Sequence, residues 1–268
     1  MLAQTAPAPT TASSSSESSA EEDTIILDPF TVTTEQEGYQ AVDTLGGGRI
    51  RTRLVDTPSS LSVITKKLMA DLGVTNAQNL LIYTNNTEVA GLGGNFSGTT
   101  SRGQGSTGEG ALLSAPQNQT RARGIGALDN TRNYFLTDIP GDGYNISRVD
   151  ISRGPNSFLF GFGSPSGIAN VQTNEAIFKD EGSIEARYGS FGSTRESLDY
   201  NKVLIPSVAA IRLDLVNDDA RYMQEPAYNH SKRAYGAVRI DPKLFDSDST
   251  HTKITASFEH GDVKSNNP

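Results

Sequence analysis

The stretch spanning residues 148–173, RVDISRGPNSFLFGFGSPSGIANVQT, decides how this chain is interpreted. It begins with Val149 and Ile151 alternating against polar neighbours, which predicts a half-buried strand. Arg153-Gly154-Pro155 then ends the strand, because glycine permits a tight bend and proline fixes the next backbone angle. A glycine-punctuated turn leads to a second predicted strand at residues 168–173. From these residues alone, the simplest interpretation is a strand, a turn and a strand in an α+β domain.

The same run resembles the signature of the plug domain of TonB-dependent outer-membrane receptors, and the matches occur in order along its whole length. The resemblance implies an α+β plug domain, a mixed sheet with short helices, that fills the lumen of a β-barrel. The residues expected to form the core of the plug motif are Arg123, Gly124, Arg148, Arg153, Gly154, Pro155, Gly161, Gly163, Gly167 and Asn170.

Composition narrows the function classes. The chain has 268 residues, a net charge of −8 and no cysteine. The negative charge argues against nucleic acid and against anionic membrane surfaces as partners. The absence of cysteine excludes disulfides, thiolate metal sites and cysteine nucleophiles. No run of about 18 apolar residues predicts a transmembrane helix, whereas transmembrane β-strands leave only a weak alternating signal.

The N-terminal region divides into two segments. Residues 1–24 are rich in Ala, Ser, Thr and Glu and are predicted to be a disordered linker. The first eight read either as the tail of a secretory signal or as an ordinary disordered terminus. Residues 25–34 form an extended apolar segment that resembles a TonB box, suited to adding a strand to a partner's sheet. The alternative is a strand of the plug's own sheet. The residues expected to contact TonB are Ile25, Ile26, Leu27, Phe30, Thr31 and Val32.

Residues 35–177 are predicted to be the plug domain. A strand is expected at 61–64, followed by a helix capped by Thr65 and stopped at Gly73. A capping-box pattern at 75–78 predicts a second helix with Leu80, Leu81 and Tyr83 buried. A further strand is expected at 133–138 and the motif run follows it.

A glycine-rich, polar stretch at residues 91–120 lacks hydrophobic periodicity. Loops of this length are usually functional or disordered. The resemblance places it where plug loops meet ligand on the extracellular side, and simple disorder is the alternative. The residues expected to face ligand are Asn95, Phe96, Arg102, Gln104 and Arg121.

Residues 178–268 alternate apolar and polar side chains in segments separated by turns, which predicts the first antiparallel strands of an outer-membrane β-barrel. A soluble sandwich alternates too and is the alternative. These residues supply five or six strands, whereas plugged transporters have about 22. The barrel is therefore predicted to be incomplete, and the chain to be the N-terminal part of a larger receptor.

Enzyme chemistry is not predicted. His230, His251 and His260 form no metal-binding pattern, and no dinucleotide, Walker or nucleophile-elbow motif is present. We expect no catalytic residue, no cofactor and no metal site. We expect turn capping and solvation to explain carboxylates such as Asp138, Asp142 and Asp150.

The resemblance implies energised uptake of siderophore-iron, cobalamin or a glycan through the outer membrane of a Gram-negative bacterium, with the plug facing the periplasm. Its implied partners are TonB with ExbB–ExbD, a small ligand such as an iron chelate, and outer-membrane lipid through the complete barrel, with no nucleic acid. It also implies that Arg123 and Arg153 pair with barrel glutamates beyond residue 268; solvent-exposed charges are the alternative. The competing hypothesis for the whole chain is a secreted or periplasmic β-rich binding domain, or a nonfunctional truncated receptor.

Overall fold

A computed structural model describes residues 38–46, 50–89, 120–139, 141–155, 164–243 and 251–266. All of them lie in one compact unit, Thr33–Pro268. The TonB-box-like segment and the glycine-rich stretch, apart from Thr120, lie outside the described residues.

The first half of the described chain contains two short helices and ten short strands. In chain order they are β1 Asp43–Thr44, β2 Thr52–Arg53, β3 Ser60–Thr65, α1 Lys66–Asp71, α2 Ala77–Leu81, β4 Thr87–Glu88, β5 Arg121–Ala122, β6 Gly126–Ala127, β7 Asp129–Arg132, β8 Phe135–Leu136, β9 Ile146–Arg153 and β10 Gly167–Thr173.

Five of these strands form what we call the mixed sheet, in the order β3-β9-β10-β7-β8. Strand β10 is antiparallel to β9 and parallel to β7, so the predicted motif strands are its two central members. Gly167 begins β10 at a φ of +127°, and a Cβ there would lie 2.1 Å from the Ser152 carbonyl oxygen. Only glycine fits where the two motif strands meet, which explains this residue of the signature.

Both helices begin where the capping residues predict. The Thr65 side chain accepts a hydrogen bond from the Leu68 amide, and the Asn76 side chain accepts one from the Asn79 amide. Leu80 and Leu81 pack in a core cluster with β9 residues. The prediction for Tyr83 is wrong: α2 ends at Leu81, and Tyr83 is exposed.

The strand expected at residues 133–138 is largely a turn. Asn133 and Tyr134 have positive φ and reverse the chain between β7 and β8. The turn is fixed by Asn170, whose Oδ1 accepts a hydrogen bond from the Tyr134 amide at 2.7 Å. Long-range side-chain contacts therefore override the local strand preference of Tyr134, whereas Phe135 and Leu136 still form β8.

The second half of the described chain forms what we call the antiparallel sheet, in the order β11-β12-β13-β14-β15. Its strands are β11 Glu181–Tyr188, β12 Thr194–Ile205, β13 Ala209–Arg221, β14 Tyr228–Ile240 and β15 Ile254–Ser265. This confirms the predicted run of antiparallel strands. In the described chain β11 and β15 are the free edges of this sheet, so the barrel is not closed.

Within the described ranges, we find no helix with the length and apolar character needed to cross a membrane.

Candidate functional site

The two sheets meet through charged side chains. The Arg195 guanidinium, on β12, donates to both carboxylate oxygens of Asp142, which lies just before β9, at 2.5 and 3.2 Å. It also donates to Asp218 on β13 at 2.6 Å. The side chains of Arg195 and Asp142 are about nine-tenths buried, so solvent screens this pair little.

A second contact joins α1 to the same two strands. Lys66 Nζ lies 2.7 Å from Asp199 Oδ2, and the Arg212 guanidinium donates to both oxygens of Asp199 at 2.6 and 2.9 Å. Asp214 is fully buried beside Arg212 and accepts a hydrogen bond from Asn174 Nδ2 at 2.7 Å. The carboxylates on β12 and β13 therefore contact Arg212 within the antiparallel sheet and also Lys66 and Asn174 in the mixed-sheet half of the molecule.

A third contact involves Glu259 on β15. Its carboxylate accepts hydrogen bonds from the Arg132 guanidinium and, at 2.7 Å, from the Tyr144 hydroxyl. Burial raises the pKa of Tyr144, and the neighbouring Glu259 charge raises it further. Tyr144 therefore stays protonated and acts as a donor.

Asn201 on β12 holds the connection between the sheets. Its Nδ2 donates to the carbonyl oxygens of Ile177 and Lys179 at 2.7 and 2.6 Å, and its Oδ1 accepts from the Ile177 amide at 3.0 Å. Asn201 is fully buried. One side chain thus satisfies three backbone groups of a segment that belongs to no sheet.

The antiparallel sheet has inverted polarity. Its inner face, toward the mixed sheet, carries buried polar residues such as Asn201, Arg212 and Asp214. Its outer face carries exposed apolar ones, among them Ile184 at 83% and Phe258 at 73% exposure. Two rows of register partners on this outer face are apolar except for one histidine: Ile184, Leu198, Leu215, Ala234 and His260, and then Gly182, Tyr200, Leu213, Gly236 and Phe258. Soluble sheets bury their apolar face, so this arrangement suits a sheet whose surroundings are apolar.

A polar cluster also lies inside the mixed sheet. Asp150, 2% exposed, accepts hydrogen bonds from the Tyr134 hydroxyl at 3.0 Å and from the Gln172 amide, and lies 3.5 Å from Arg148 Nε. Burial raises the pKa of the Asp150 carboxyl, and the Arg148 guanidinium opposes that rise. The pKa of Tyr134 is raised by burial and by the Asp150 charge. The expectation that solvation explains Asp150 is therefore wrong.

The motif residues divide between interior and surface. Arg148, Gly154, Gly167 and Asn170 are buried, whereas Arg123, Gly124 and Pro155 are exposed. Gly161 and Gly163 lie outside the described residues.

Arg153 donates to the Asn85 carbonyl oxygen at 3.0 Å and to Ser62 Oγ at 2.8 Å, and burial lowers its pKa. Within the described ranges, neither Arg123 nor Arg153 has a carboxylate partner. Their pairing with carboxylates elsewhere stays a prediction.

The residues expected to face ligand and TonB are described at one position only. Arg121 forms an ion pair with Glu88, with Nη2 2.6 Å from Oε2. Its charge is therefore already engaged by a neighbouring strand. The other expected contact residues are outside the described part of the chain.

Sequence reasoning did not find the residues that join the two sheets. Asp142 was assigned to turn capping, and it does accept a hydrogen bond from the Tyr144 amide, but Arg195 binds it as well. A signal was available: Arg195, Asp199 and Asn201 occupy alternate positions of β12, which identifies a polar inner face. In the part of the chain that the structure covers, no group of three or more His, Asp or Glu side chains is placed to hold a metal ion.

Comparison with known proteins gives the family. The family described as TonB-dependent Receptor Plug Domain matches residues 53–168. The metal-pseudopaline receptor CntO of Pseudomonas aeruginosa is 27% identical over 75% of this chain and 27% of the relative. The probable TonB-dependent siderophore receptor PiuA of Acinetobacter baumannii is 29% identical over 85% of this chain and 28% of the relative. The chain thus spans about a quarter of the length of the curated relatives it matches.

Solved structures show the same fold. The ferripyoverdine receptor of the outer membrane of Pseudomonas aeruginosa superimposes with a TM-score of 0.68 at 19% identity, over 86% of this chain and 29% of that one. The alcaligin receptor FauA of Bordetella pertussis gives a TM-score of 0.67 at 18% identity, over 89% of this chain and 37% of that one. Together the comparisons support a TonB-dependent receptor, with its plug domain at residues 53–168.

Proposed function

We propose that this chain gates the energised uptake of a metal chelate through the outer membrane of a Gram-negative bacterium, with its plug facing the periplasm. The observation that carries the proposal is the inverted polarity of the antiparallel sheet. The apolar outer face suits lipid, and the inner face contacts the mixed-sheet half through ion pairs and through a small buried apolar cluster of Tyr144 with Val216, Tyr235 and Ala237. The same outer face disfavours a soluble secreted or periplasmic domain, because a patch of this kind would promote aggregation in water.

The ligand class is proposed from relatives. Their names include a metal-pseudopaline receptor, a ferrioxamine receptor and catecholate siderophore receptors. These ligands are metal chelates, which favours siderophore-iron over cobalamin or a glycan for this chain. Residues 91–120 are proposed to contribute ligand contacts, including those at Asn95, Phe96, Arg102 and Gln104.

The energy source is proposed to be TonB, driven by ExbB–ExbD. The segment at residues 25–33 combines Ile25, Ile26 and Val32 with Phe30, which suits the addition of a strand to a partner's sheet edge. It precedes the plug, so a pull on this segment is transmitted to the start of the mixed-sheet half.

The test uses the complete protein expressed in a strain that lacks its own siderophore receptors. We expect deletion of residues 25–33 to abolish uptake of radiolabelled iron carried by ferrioxamine or by a catecholate, while binding of the same chelate to whole cells is unchanged. Deletion of nine linker residues, 11–19, is the matched control and should leave both intact. If the first deletion leaves uptake intact, or abolishes binding as well, the proposal is wrong.

A further inference from the structure

The N-terminal hairpin, β1 with β2, is only weakly joined to the rest of the plug. It forms a two-stranded sheet of its own with two pairs of register partners, Asp43 with Arg53 and Thr44 with Thr52. One more backbone bond, from the Leu54 amide to the Val42 carbonyl oxygen, extends it. Its attachment to the mixed sheet must therefore come from contacts other than a strand ladder.

Apolar packing contributes little to that attachment. Val42, Ile50 and Val55 are 65, 74 and 85% exposed. Hydrophobic stabilisation scales with the apolar area removed from water. Detaching this segment from the plug therefore loses little hydrophobic stabilisation. Just before the hairpin, the bond from the Tyr39 hydroxyl to Asp71 is exposed, and the Thr65 hydroxyl donates to the Gly38 carbonyl oxygen at 2.7 Å.

The buried attachment of β1 itself is the side chain of Arg148, on β9, which is 5% exposed. Its Nη2 donates to the Asp43 carbonyl oxygen at 2.5 Å, and its Nη1 lies 3.7 Å from Asp43 Oδ1. The second oxygen of Asp43 accepts a hydrogen bond from Arg51 Nε at 2.6 Å. Arg148 thus holds both the backbone and the carboxylate of β1.

The opposite side of Arg148 faces Asp150, which remains in place whether or not β1 is present. Removing one partner of a buried ion pair is costly because it leaves an uncompensated charge. Here Asp150 lies 3.5 Å from Arg148 Nε and is itself held by Tyr134 and Gln172. The guanidinium therefore keeps a carboxylate neighbour when Asp43 leaves.

We propose that Arg148 is a positioning residue that fastens β1 to the mixed sheet and sets the force at which the N-terminal hairpin detaches. This inference rests on the proposed function, because it requires a pull on the segment before Gly38. The solvent-accessible contacts at Tyr39 yield first, the Arg148–Asp43 contacts yield next, and residues 38–59 are then released. The core pair β9–β10 stays folded, with Arg148 neutralised by Asp150.

The test needs neither ligand nor TonB, and uses hydrogen exchange of the complete protein in lipid nanodiscs. Asp43→Asn removes the carboxylate contact while Arg148 and Asp150 remain. We expect the Leu54 amide to exchange several-fold faster, because the 3.7 Å ion pair with Arg148 and the hydrogen bond from Arg51 are both weakened, with β9 and β10 unchanged. Arg51→Gln removes the contact between Arg51 and Asp43 within the hairpin but leaves Asp43 beside Arg148, and should have a smaller effect. Asp56→Asn, in an exposed pair with Arg53, should have none.

Equal acceleration by Arg51→Gln and Asp43→Asn would overturn the proposal, as would no acceleration in Asp43→Asn or equal acceleration throughout β9 and β10. A pulling experiment from the N-terminus gives a second measurement. The first rupture should release roughly 75 Å of chain, at ~3.3–3.6 Å per residue, and should need less force in Asp43→Asn than in Asp56→Asn. If these results hold but the wild-type protein takes up no chelate, the proposed function fails and the attachment stands. If the wild-type protein takes up chelate but these results are absent, the attachment fails.

Discussion

The mixed sheet and the antiparallel sheet each have five strands, yet they distribute polarity in opposite ways. The two central strands of the mixed sheet, β9 and β10, are buried on both faces, with apolar residues on one face and a hydrogen-bonded polar cluster on the other. The antiparallel sheet buries its polar face and exposes its apolar one. Alternation alone therefore does not say which face of a sheet is buried; the surroundings of the sheet decide it.

We expect the largest loss of plug stability from a substitution at Gly167. A Cβ at this position would lie 2.1 Å from a backbone oxygen of β9, so Gly167→Ala should force the two central strands apart. We expect a loss of more than about 4 kcal/mol in the free energy of unfolding of the plug, or failure to fold. The measurement is the urea concentration at which residues 146–173 of the complete protein become sensitive to protease.

Gly192→Ala is the matched control. Gly192 also has positive φ, at +77°, but a Cβ there meets nothing within 4 Å. We expect it to cost about 1 kcal/mol from backbone strain alone. Equal costs at the two positions would show that steric contact between β9 and β10 is not what requires Gly167.

The next effect concerns the contact between the sheets. Arg195→Gln leaves the buried Asp142 carboxylate without its cation, which should cost about 3 to 5 kcal/mol. We expect the amides of residues 141–145 to exchange faster, whereas the amides of β11–β15 that lie far from Arg195 exchange at an unchanged rate. Lys202→Gln, which removes a half-exposed pair with Asp180, should change stability by less than about 1 kcal/mol. If both variants behave alike, burial is not what gives the junction its strength.

A charge on the outer face tests whether that face lies in lipid. Leu213→Arg places a guanidinium in the apolar rows and should cost about 2 to 4 kcal/mol in a bilayer. Asn217→Arg, two register rows along the same face of β13, should cost about 0 to 1 kcal/mol. The measurement is the fraction of complete protein assembled into the outer membrane. Equal assembly of the two variants would argue against lipid contact at Leu213.

The smallest effect is a change in pH dependence. Because burial raises the pKa of Asp150, the stability that this group contributes is fully present below its unfolded pKa, about 3.9, and is lost as pH rises through the folded pKa. Asp150→Asn should therefore flatten the fall of plug stability above pH ~4. Thermal unfolding of the complete protein at a series of pH values measures this, with Asp56→Asn as the exposed control. A slope unchanged by Asp150→Asn would contradict the assigned direction.

Local signals predicted much of this fold. The caps at Thr65 and Asn76 are determined by neighbouring residues, so the helices that begin there were predictable. The turn at Tyr134 was not, because Asn170 and Asp150, far along the chain, hold it. The prediction that Asp150 is solvated failed for a similar reason. Alternation in β9 identifies two faces of the strand, but it does not show that other side chains cover the polar face.

The candidate site was less predictable than the fold. The pairs Arg195–Asp142 and Lys66–Asp199 join residues 53 and 133 positions apart, and no local pattern links them. The polar inner face of β12 could have been identified from its alternate residues. Their partners depend on how the two sheets are placed together, which the sequence of a single strand does not contain.

The bonds that Asn201 makes to residues 177 and 179 have a consequence for how the receptor is assembled. Strand β10 ends at Thr173 and β11 begins at Glu181, and the backbone between them is fixed to β12 in the middle of that short span. The connection is therefore too short and too firmly bonded for the mixed sheet to fold separately and then enter a barrel whose strands have already formed. We expect β10, the connection and β12 to become ordered in one cooperative step, so that the plug folds together with the first strands of the antiparallel sheet.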